Sequence, residues 1–213
     1  MAIPNWLDWA QRLQSIAQSG LNYNPAPFDR DRYEQIMRIA AEMIAASESG
    51  DVDALTQVEN LFSAQAGHTT PKIDVRGVVF REGKILLVQE MLDNYRWTLP
   101  GGWADIGESA ADSVVREVYE ETGYRARAVK LLALYDRNKH PHPPFVFHAY
   151  KAFFLCELLS DERTPDPRNV ETGEVGWFDP EHLPELSVGR VTSGQIARFV
   201  EHLRSPSMAT DFD

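Results

Sequence analysis

Residues 102–124 read GWADIGESAADSVVREVYEETGY, a glycine turn followed by a segment with helical periodicity. Apolar side chains recur along this segment at the three- and four-residue spacing of one helix face: Ala110, Val114, Val118 and Tyr119. Gly123 is well suited to end a helix, because glycine adopts the left-handed conformation at little cost. The pattern therefore predicts a helix from Ser109 to Thr122 that packs one face against a sheet.

The last turns of this helix are crowded with negative charge. Glu117 and Glu121 stand four residues apart and share a face, and Glu120 lies beside them. The helix dipole is already negative at this end, so the crowding destabilises the helix. Arg116 can offset one glutamate, most simply Glu120. A divalent cation would relieve the rest, and Mg²⁺ prefers such carboxylates.

A solvated acidic face is the alternative interpretation of these glutamates. The companion Glu108 and the preceding Gly101-Gly102 turn favour a metal site instead.

The same stretch resembles the signature of the Nudix hydrolase family. That signature is Gly, five residues, Glu, seven residues, Arg-Glu, an aliphatic residue, any residue, Glu-Glu, any residue, Gly, and an aliphatic residue. Eight positions match it: Gly102, Glu108, Arg116, Glu117, Val118, Glu120, Glu121 and Gly123. Tyr124 stands where an aliphatic residue is usual. That position packs in the family, so the departure bears little on the chemistry.

The resemblance implies an α+β fold, a Nudix-type α/β/α sandwich with a mixed sheet, over residues 70–205. It also implies hydrolysis of a nucleoside diphosphate linked to another moiety. In such an enzyme Mg²⁺, or Mn²⁺ in its place, is held by three glutamates and a backbone carbonyl: Glu117, Glu120, Glu121 and Gly101. The residues that match the family's bracing pair are Arg116 and Glu108, which orient the ligands.

The general base differs among family members, and three acids are candidates for it here. Glu117 lies in the motif itself, whereas Glu171 and Glu174 come from a later loop. For Glu174 the alternative is a strand-edge residue just before Trp177 and Phe178.

Short strand-like segments surround the motif. They are Ile73–Phe80, Ile85–Gln89, Trp97–Pro100, 128–135, 145–158 and 174–178, and a closing helix is expected near 192–203. The acidic, proline-bearing run 160–169 is expected to be a loop. The single cysteine, Cys156, follows Phe153-Phe154-Leu155, a setting typical of a packed strand.

Residues 1–66 form a separate helical segment. Three amphipathic stretches are expected, the first ended by Gly20 and the second capped by Asp29 or Asp31. The segment resembles the helical domain that precedes the Nudix domain in CDP-choline and ADP-ribose pyrophosphatases. The resemblance implies a homodimer, and it gives this domain a role in dimerisation and substrate selection. Three short helices alone would bury too little surface.

Five residues are candidates for contacts with a small nucleotide substrate: Arg76, Trp103, Arg137, His140 and His142. The arginines suit phosphate and Trp103 suits base stacking. His140 and His142 lie in a proline-stiffened segment that can equally be an ordinary surface hairpin. The arginines can equally be solvated charges.

The amino-acid composition argues against some classes of function. Acidic residues outnumber basic ones, 32 against 21, for a formal charge of −11, which opposes broad nucleic-acid binding. Neither a membrane-spanning segment nor a signal peptide is visible, so a cytoplasmic protein with no membrane partner is expected. Two alternatives to the pyrophosphohydrolase stay open, a non-catalytic nucleotide-sensing module and an RNA-end hydrolase or exonuclease.

Overall fold

The computed structural model describes residues 4–48, 52–165 and 172–213. Its helices are α1 (Asn5–Asn22), α2 (Pro27–Glu48), α3 (Val52–Ser63), α4 (Ala110–Thr122) and α5 (Ser193–Arg204). Its strands are β1 (Lys72–Arg81), β2 (Lys84–Glu90), β3 (Arg96–Thr98), β4 (Tyr124–Asp136), β5 (Ala149–Arg163), β6 (Thr172–Phe178) and β7 (Asp211–Phe212). The chain forms two compact units. One holds α1–α3 and residues 144–148, and the other holds all the strands with α4 and α5.

The second unit is built on a mixed sheet with strand order β3-β2-β1-β5-β4-β7, and β6 pairs with β2. The β1–β5 and β4–β7 pairs are parallel, and the other pairs are antiparallel. Residues 100–104 run along β1, because the N–H groups of Val75 and Gly77 donate to the carbonyls of Gly102 and Pro100. The glycine turn is therefore held against the centre of the sheet.

Alternation along the strands gives the sheet two apolar faces. Val75 and Val79 of β1 pack on one face with Val114 and Val118 of α4. On the other face Val78 packs with strand residues and with two residues of α5: Leu132, Phe153, Ile196 and Phe199. A helix on each face of a mixed sheet confirms the predicted α/β/α sandwich.

The helical unit has its own core, formed where one face of each helix meets the others. The buried residues are Leu7, Ala10, Ala40, Ala41, Ile44, Val58 and Phe62. Val146 packs against this core, and the Gln11 side chain donates to the carbonyl of Phe145, 2.9 Å away.

Several boundaries differ from the sequence prediction. Gly20 does not end α1, which continues to Asn22; its missing Cβ instead makes room for the ring of Tyr33. Neither predicted aspartate caps α2, because that helix already begins at Pro27.

The later strands differ in extent as well. β5 starts at Ala149 and extends to Arg163, beyond the predicted start of the loop, because β4 begins at Tyr124 and pairs with Arg163. The short strand β7 was not predicted, since two residues carry no periodicity.

Gly77 sets how closely α4 approaches the sheet, because a Cβ at this position would collide with the Cγ2 atom of Val118. Val118 is fully buried and β-branched, so it has little freedom to move aside. We expect Gly77→Ala to destabilise the fold by about 2 kcal/mol through overpacking.

Val118→Ala provides the matched test, because it removes the colliding methyl group. In that background Gly77→Ala should cost clearly less, as measured by chemical denaturation of all four proteins of the cycle. Equal costs in both backgrounds would show that the helix is not spaced by this contact.

Candidate active site

Helix α4 is fixed at both ends by local interactions. The side chain of Ser109 accepts a hydrogen bond from the backbone N–H of Asp112 and caps the first turn. Gly123 ends the helix in the left-handed conformation (φ 76°), and its N–H donates to the carbonyl of Tyr119. The glutamates of the last turns are thereby held at a defined depth beside the glycine turn.

Arg116 gathers the carboxylates of this helix. Its Nη1 lies 3.0 Å from Glu117 Oε1 and 2.9 Å from Glu120 Oε2. Its Nε donates to Glu108, whose carboxylate also accepts from the hydroxyl of Ser113. The predicted pairing with Glu120 is therefore present, and the same guanidinium also bridges to Glu108 and Glu117.

The glycine turn approaches two of the glutamates. The N–H of Gly101 donates to Glu121 Oε2 at 2.8 Å. A Cβ on Gly102 would stand 3.0 Å from Glu117 Oε1. Gly101 has φ 143°, and a Cβ there would come within 2.9 Å of Arg76 Cα. Gly101 therefore has to be glycine, whereas a side chain at Gly102 would push the Glu117 carboxylate aside, and the turn forms a cradle for the carboxylates.

Burial raises the pKa of two of the glutamates on α4. It raises the pKa of Glu121 to about 8, although Arg76 and the Gly101 hydrogen bond oppose the shift, and Glu117 and Glu90 add to it. Burial likewise raises the pKa of Glu117, against the attraction of Arg116. A bound cation would stabilise the ionised form of both groups.

The donor set suits a hard divalent cation, since it consists of carboxylate and carbonyl oxygens. Within the described ranges, no three acidic, histidine or cysteine side chains already converge as a ligand set. Instead Glu117 and Glu120 turn toward Arg116, and Glu121 turns toward Gly101. To bind a cation, these three glutamates would have to exchange their present partners for it.

Both candidate arginines are buried beside a carboxylate. Arg76 Nε donates to Asp74 Oδ1 at 2.8 Å, and Arg76 Nη1 donates to the carbonyl of Leu99. Burial lowers the pKa of Arg137, and Asp74 opposes the shift. The interpretation of the two arginines as solvated surface charges is therefore wrong.

The two candidate histidines are held by contacts within the protein. His142 Nδ1 lies 2.7 Å from the carbonyl of Val188, and His142 Nε2 lies 3.2 Å from the side-chain amide of Gln195. His140 Nε2 lies 3.1 Å from Asp213 Oδ1. These contacts tie the segment to other parts of the second unit.

The remaining candidates are spread over the fold. Trp103 is half exposed, and its backbone bridges to Asp74 of β1. Glu174 lies exposed on β6, and its N–H donates to the side chain of Gln89. Glu171 lies outside the described residues.

Sequence analysis missed three buried charged residues of this unit. Lys151 of β5 donates to Asp74, and Glu90 at the end of β2 pairs with Arg190 at 2.9 Å. Asp74 and Arg76 alternate with apolar residues on β1, and charged residues on a buried strand were the signal that could have revealed them.

Comparison with known proteins supports the interpretation of this site. Residues 70–198 match the family described as "NUDIX domain", and residues 4–62 match "UDP-X-like, N-terminal oligomerisation domain". A Bacillus subtilis (strain 168) protein, YjhB, provisionally named an ADP-ribose pyrophosphatase, is 42% identical over 208 residues. The alignment covers 98% of this chain and 97% of the relative.

Two solved structures are also similar. An ADP-ribose pyrophosphatase from Streptococcus suis 89-1591 is 42% identical with a TM-score of 0.60, over 68% of this chain and 100% of that one. A UDP-X diphosphatase is 30% identical with a TM-score of 0.60, over the full length of both chains.

The sandwich and its glutamate-bearing helix thus define a pyrophosphohydrolase. The chain belongs to the Nudix hydrolase family and carries the UDP-X-like N-terminal domain. In the described part of the chain, no helix is long and apolar enough to span a membrane.

Removing the charge of Glu121 should not weaken the metal-free protein. In EDTA at about pH 9, where the Glu121 carboxyl with its pKa of about 8 is ionised, Glu121→Gln should melt no lower than the parent, because the amide oxygen still accepts from Gly101 N–H without desolvating a charge. Millimolar Mg²⁺ should raise the melting temperature of the parent by a few degrees, given that about 1 kcal/mol corresponds to about 2–4 °C at this size. The variant should respond less.

Glu181→Gln is a suitable control for this experiment, because Glu181 is an exposed acid outside α4. It should respond to Mg²⁺ as the parent does. Identical melting of the parent in EDTA and in Mg²⁺ would contradict the assignment of a cation to this cluster.

Proposed function

We propose that the chain hydrolyses the diphosphate of a nucleoside diphosphate linked to another moiety, releasing a nucleoside monophosphate and a phosphorylated product. The observation that carries the proposal is the position of Glu121. A half-buried carboxylate that is largely desolvated, and that is faced by a glycine cradle and by a second carboxylate, is costly for a fold that has no cation to place there.

The proposed ligands are Glu117, Glu120, Glu121 and the carbonyl of Gly101, and the proposed ion is Mg²⁺ with Mn²⁺ as a substitute. The ion supplies charge neutralisation of the diphosphate and activation of a water molecule. The chain supplies orientation: Arg116, braced by Glu108, holds two of the carboxylates in place.

Sugar-linked substrates are favoured by the relatives. Two similar proteins are named ADP-ribose pyrophosphatases and a third is named a UDP-X diphosphatase. We propose ADP-ribose as the first substrate to test, followed by UDP-sugars and CDP-choline. Trp103, half exposed beside the glycine turn, is the proposed stacking surface for the base.

Candidates for the general base are Glu117, Glu171 and Glu174. Glu117 is next to the glycine cradle, whereas Glu174 is exposed on β6. A base must reach the attacking water within hydrogen-bond distance, directly or through one water. We place Glu117 first on this ground. Glu174 serves as the alternative, which Glu174→Gln tests.

Glu117→Gln and Glu121→Gln should each lower kcat by roughly two orders of magnitude or more. Each amide keeps the shape of the side chain but loses the charge that binds the cation. Turnover is measured with ADP-ribose and purified protein, and circular dichroism verifies the fold. Glu181→Gln again serves as the matched control. Near-parental turnover in either variant would remove that residue from the proposed site.

One panel of substrates distinguishes the proposed activity from the two alternatives, an RNA-end hydrolase and a non-catalytic nucleotide sensor. ADP-ribose, UDP-glucose, CDP-choline, a nucleoside triphosphate and a 5′-triphosphate RNA are each incubated with enzyme and Mg²⁺. A phosphatase then hydrolyses the phosphomonoester products, and the inorganic phosphate is measured against a blank that contains the phosphatase but no enzyme. The proposal expects turnover of the first three. Turnover of the RNA alone would favour an RNA-end hydrolase, and binding without turnover would favour a sensor.

We also propose that the helical unit forms a homodimer. Trp9 and Ile16 lie seven residues apart on α1, and Tyr23 follows after seven more as the residue that caps its C-terminus. All three are exposed, whereas the opposite face of the helix is buried. An exposed apolar stripe of this kind marks an interaction surface. The match to an oligomerisation domain supports the same conclusion. The role of this unit in substrate selection stays a prediction.

A double substitution within the stripe tests the dimer. Trp9→Glu combined with Ile16→Glu should convert a dimeric protein to a monomer, because four charges would be brought into the shared interface. Light scattering at micromolar concentration gives the mass. Lys84→Glu, which makes the same change of −2 in net charge at the exposed first residue of β2 in the other unit, should leave the dimer intact. A monomeric parent would refute the proposal directly.

A further inference from the structure

The glycine turn is attached to β1 by a side chain as well as by the backbone. Backbone hydrogen bonds from β1 hold residues 100–104. Just before this segment, Arg76 Nη1 donates to the carbonyl of Leu99, 3.2 Å away. Leu99 is fully buried and lies where the chain leaves β3, which pairs with β2, and reaches β1. A buried carbonyl needs a donor. The guanidinium of Arg76 supplies one and so fixes the start of the glycine turn.

Arg76 is itself held in place by two buried residues. Its Nε donates to Asp74 Oδ1 at 2.8 Å. The other carboxylate oxygen of Asp74 accepts from the ammonium group of Lys151, which lies directly opposite Asp74 in the parallel β1–β5 register. The exposed fraction of these three residues is only 1–6%. Burial alone would raise the pKa of Asp74, but Arg76 and Lys151 hold it below its ordinary value. The carboxylate therefore stays charged and anchors the guanidinium.

Two of the proposed metal ligands lie within reach of Arg76. Gly101, whose carbonyl is one of them, comes two residues after Leu99 and packs on the Arg76 backbone, where a Cβ would stand 2.9 Å from Arg76 Cα. The N–H of Gly101 donates to Glu121, a second ligand. Burial raises the pKa of Glu121, and the charge of Arg76 opposes that rise. Arg76 therefore acts on the ligands in two ways, through the position of the turn and through its charge.

We propose that Arg76 is a positioning residue for the metal site. Held by Asp74, its guanidinium fixes the carbonyl of Leu99. This contact keeps Gly101, whose carbonyl is a proposed ligand, beside Glu121. Loss of a residue that orients a metal ligand lowers metal affinity by about 10–100-fold. The inference rests on the proposed function, since it concerns the same cation site. It assigns Arg76 to the turn and not to a phosphate of the substrate.

Two substitutions of Arg76 separate position from charge. Arg76→Lys keeps the charge, but one ammonium nitrogen cannot reproduce the fork that joins Asp74 to Leu99. Arg76→Met removes the charge as well. If Arg76 acted only through its charge, Arg76→Met would tighten cation binding, because a repelling charge is lost. Positioning has the opposite sign: both variants should bind Mn²⁺ roughly tenfold more weakly than the parent.

Binding is measured without substrate, so that no hydrolysis is required. Full-length protein is titrated with Mn²⁺, and the electron paramagnetic resonance signal of the free ion gives the dissociation constant. Arg204→Lys and Arg204→Met are the matched controls, because they make the same changes at an exposed arginine of α5, and they should bind Mn²⁺ as the parent does. Circular dichroism verifies each fold.

Kinetics with ADP-ribose distinguish a positioning residue from one that contacts the substrate. At saturating Mg²⁺ the Arg76 variants should regain most of the parental kcat, and their KM for ADP-ribose should equal that of the parent. A KM that stays raised at every Mg²⁺ concentration would assign Arg76 to the substrate and overturn the inference.

The outcomes also separate this inference from the proposed function. Parental Mn²⁺ affinity in folded Arg76→Lys, or tighter binding by Arg76→Met, would overturn the positioning role, and turnover of ADP-ribose by the parent would leave the hydrolase intact. Weaker Mn²⁺ binding by both variants of a parent that hydrolyses none of the substrates would do the opposite. If Arg76→Met does not fold, Arg76→Lys decides alone.

Discussion

Close packing of α4 on β1 is the constraint on which the rest of the site depends. Because Gly77 has no side chain, Val118 can pack directly against the strand. The same strand holds residues 100–104 by backbone hydrogen bonds on its edge. The helix and the glycine turn are therefore both fixed to strand β1. This common attachment brings the carboxylate of Glu121 within hydrogen-bond distance of the N–H of Gly101.

The site stores electrostatic repulsion that the fold itself only partly relieves. Three glutamates lie at the negative end of a helix dipole, and two of them are desolvated enough to have raised pKa values. Arg116 offsets part of the repulsion by bridging Glu108, Glu117 and Glu120, and Glu121 accepts a hydrogen bond from the N–H of Gly101. The carboxylate with the larger rise in pKa, that of Glu121, is therefore the one that faces the cradle.

Local patterns predicted this helix well and the charged face of the sheet poorly. Gly123 is a terminator that acts through a few neighbouring residues, so the end of α4 at Thr122 followed from the sequence, whereas Ser109, predicted as the first residue of the helix, is its N-cap. The partnership of Lys151 with Asp74 joins residues 77 positions apart. It depends on the parallel register of β1 and β5, which no local periodicity specifies.

Gly20 illustrates a second kind of failure. In isolation a glycine near a helix end indicates a stop, but here the missing side chain accommodates Tyr33 of the next helix. The reason for that glycine is a tertiary contact, so the local rule gave the wrong boundary. The same applies to β5, whose last residues form a strand because Tyr124 offers Arg163 a partner.

Strand β1 lies between the glutamates of α4 and the buried charges Asp74 and Arg76, because its alternate residues point to opposite faces of the sheet. Val75, Gly77 and Val79 support α4, whereas Asp74 and Arg76 belong to the other face. Arg76 is attracted both by Asp74 and by Glu121 across the strand. A cation held by the carboxylates of α4 would weaken the pull of Glu121 on Arg76, so that Asp74 would remain the main anionic partner of this guanidinium.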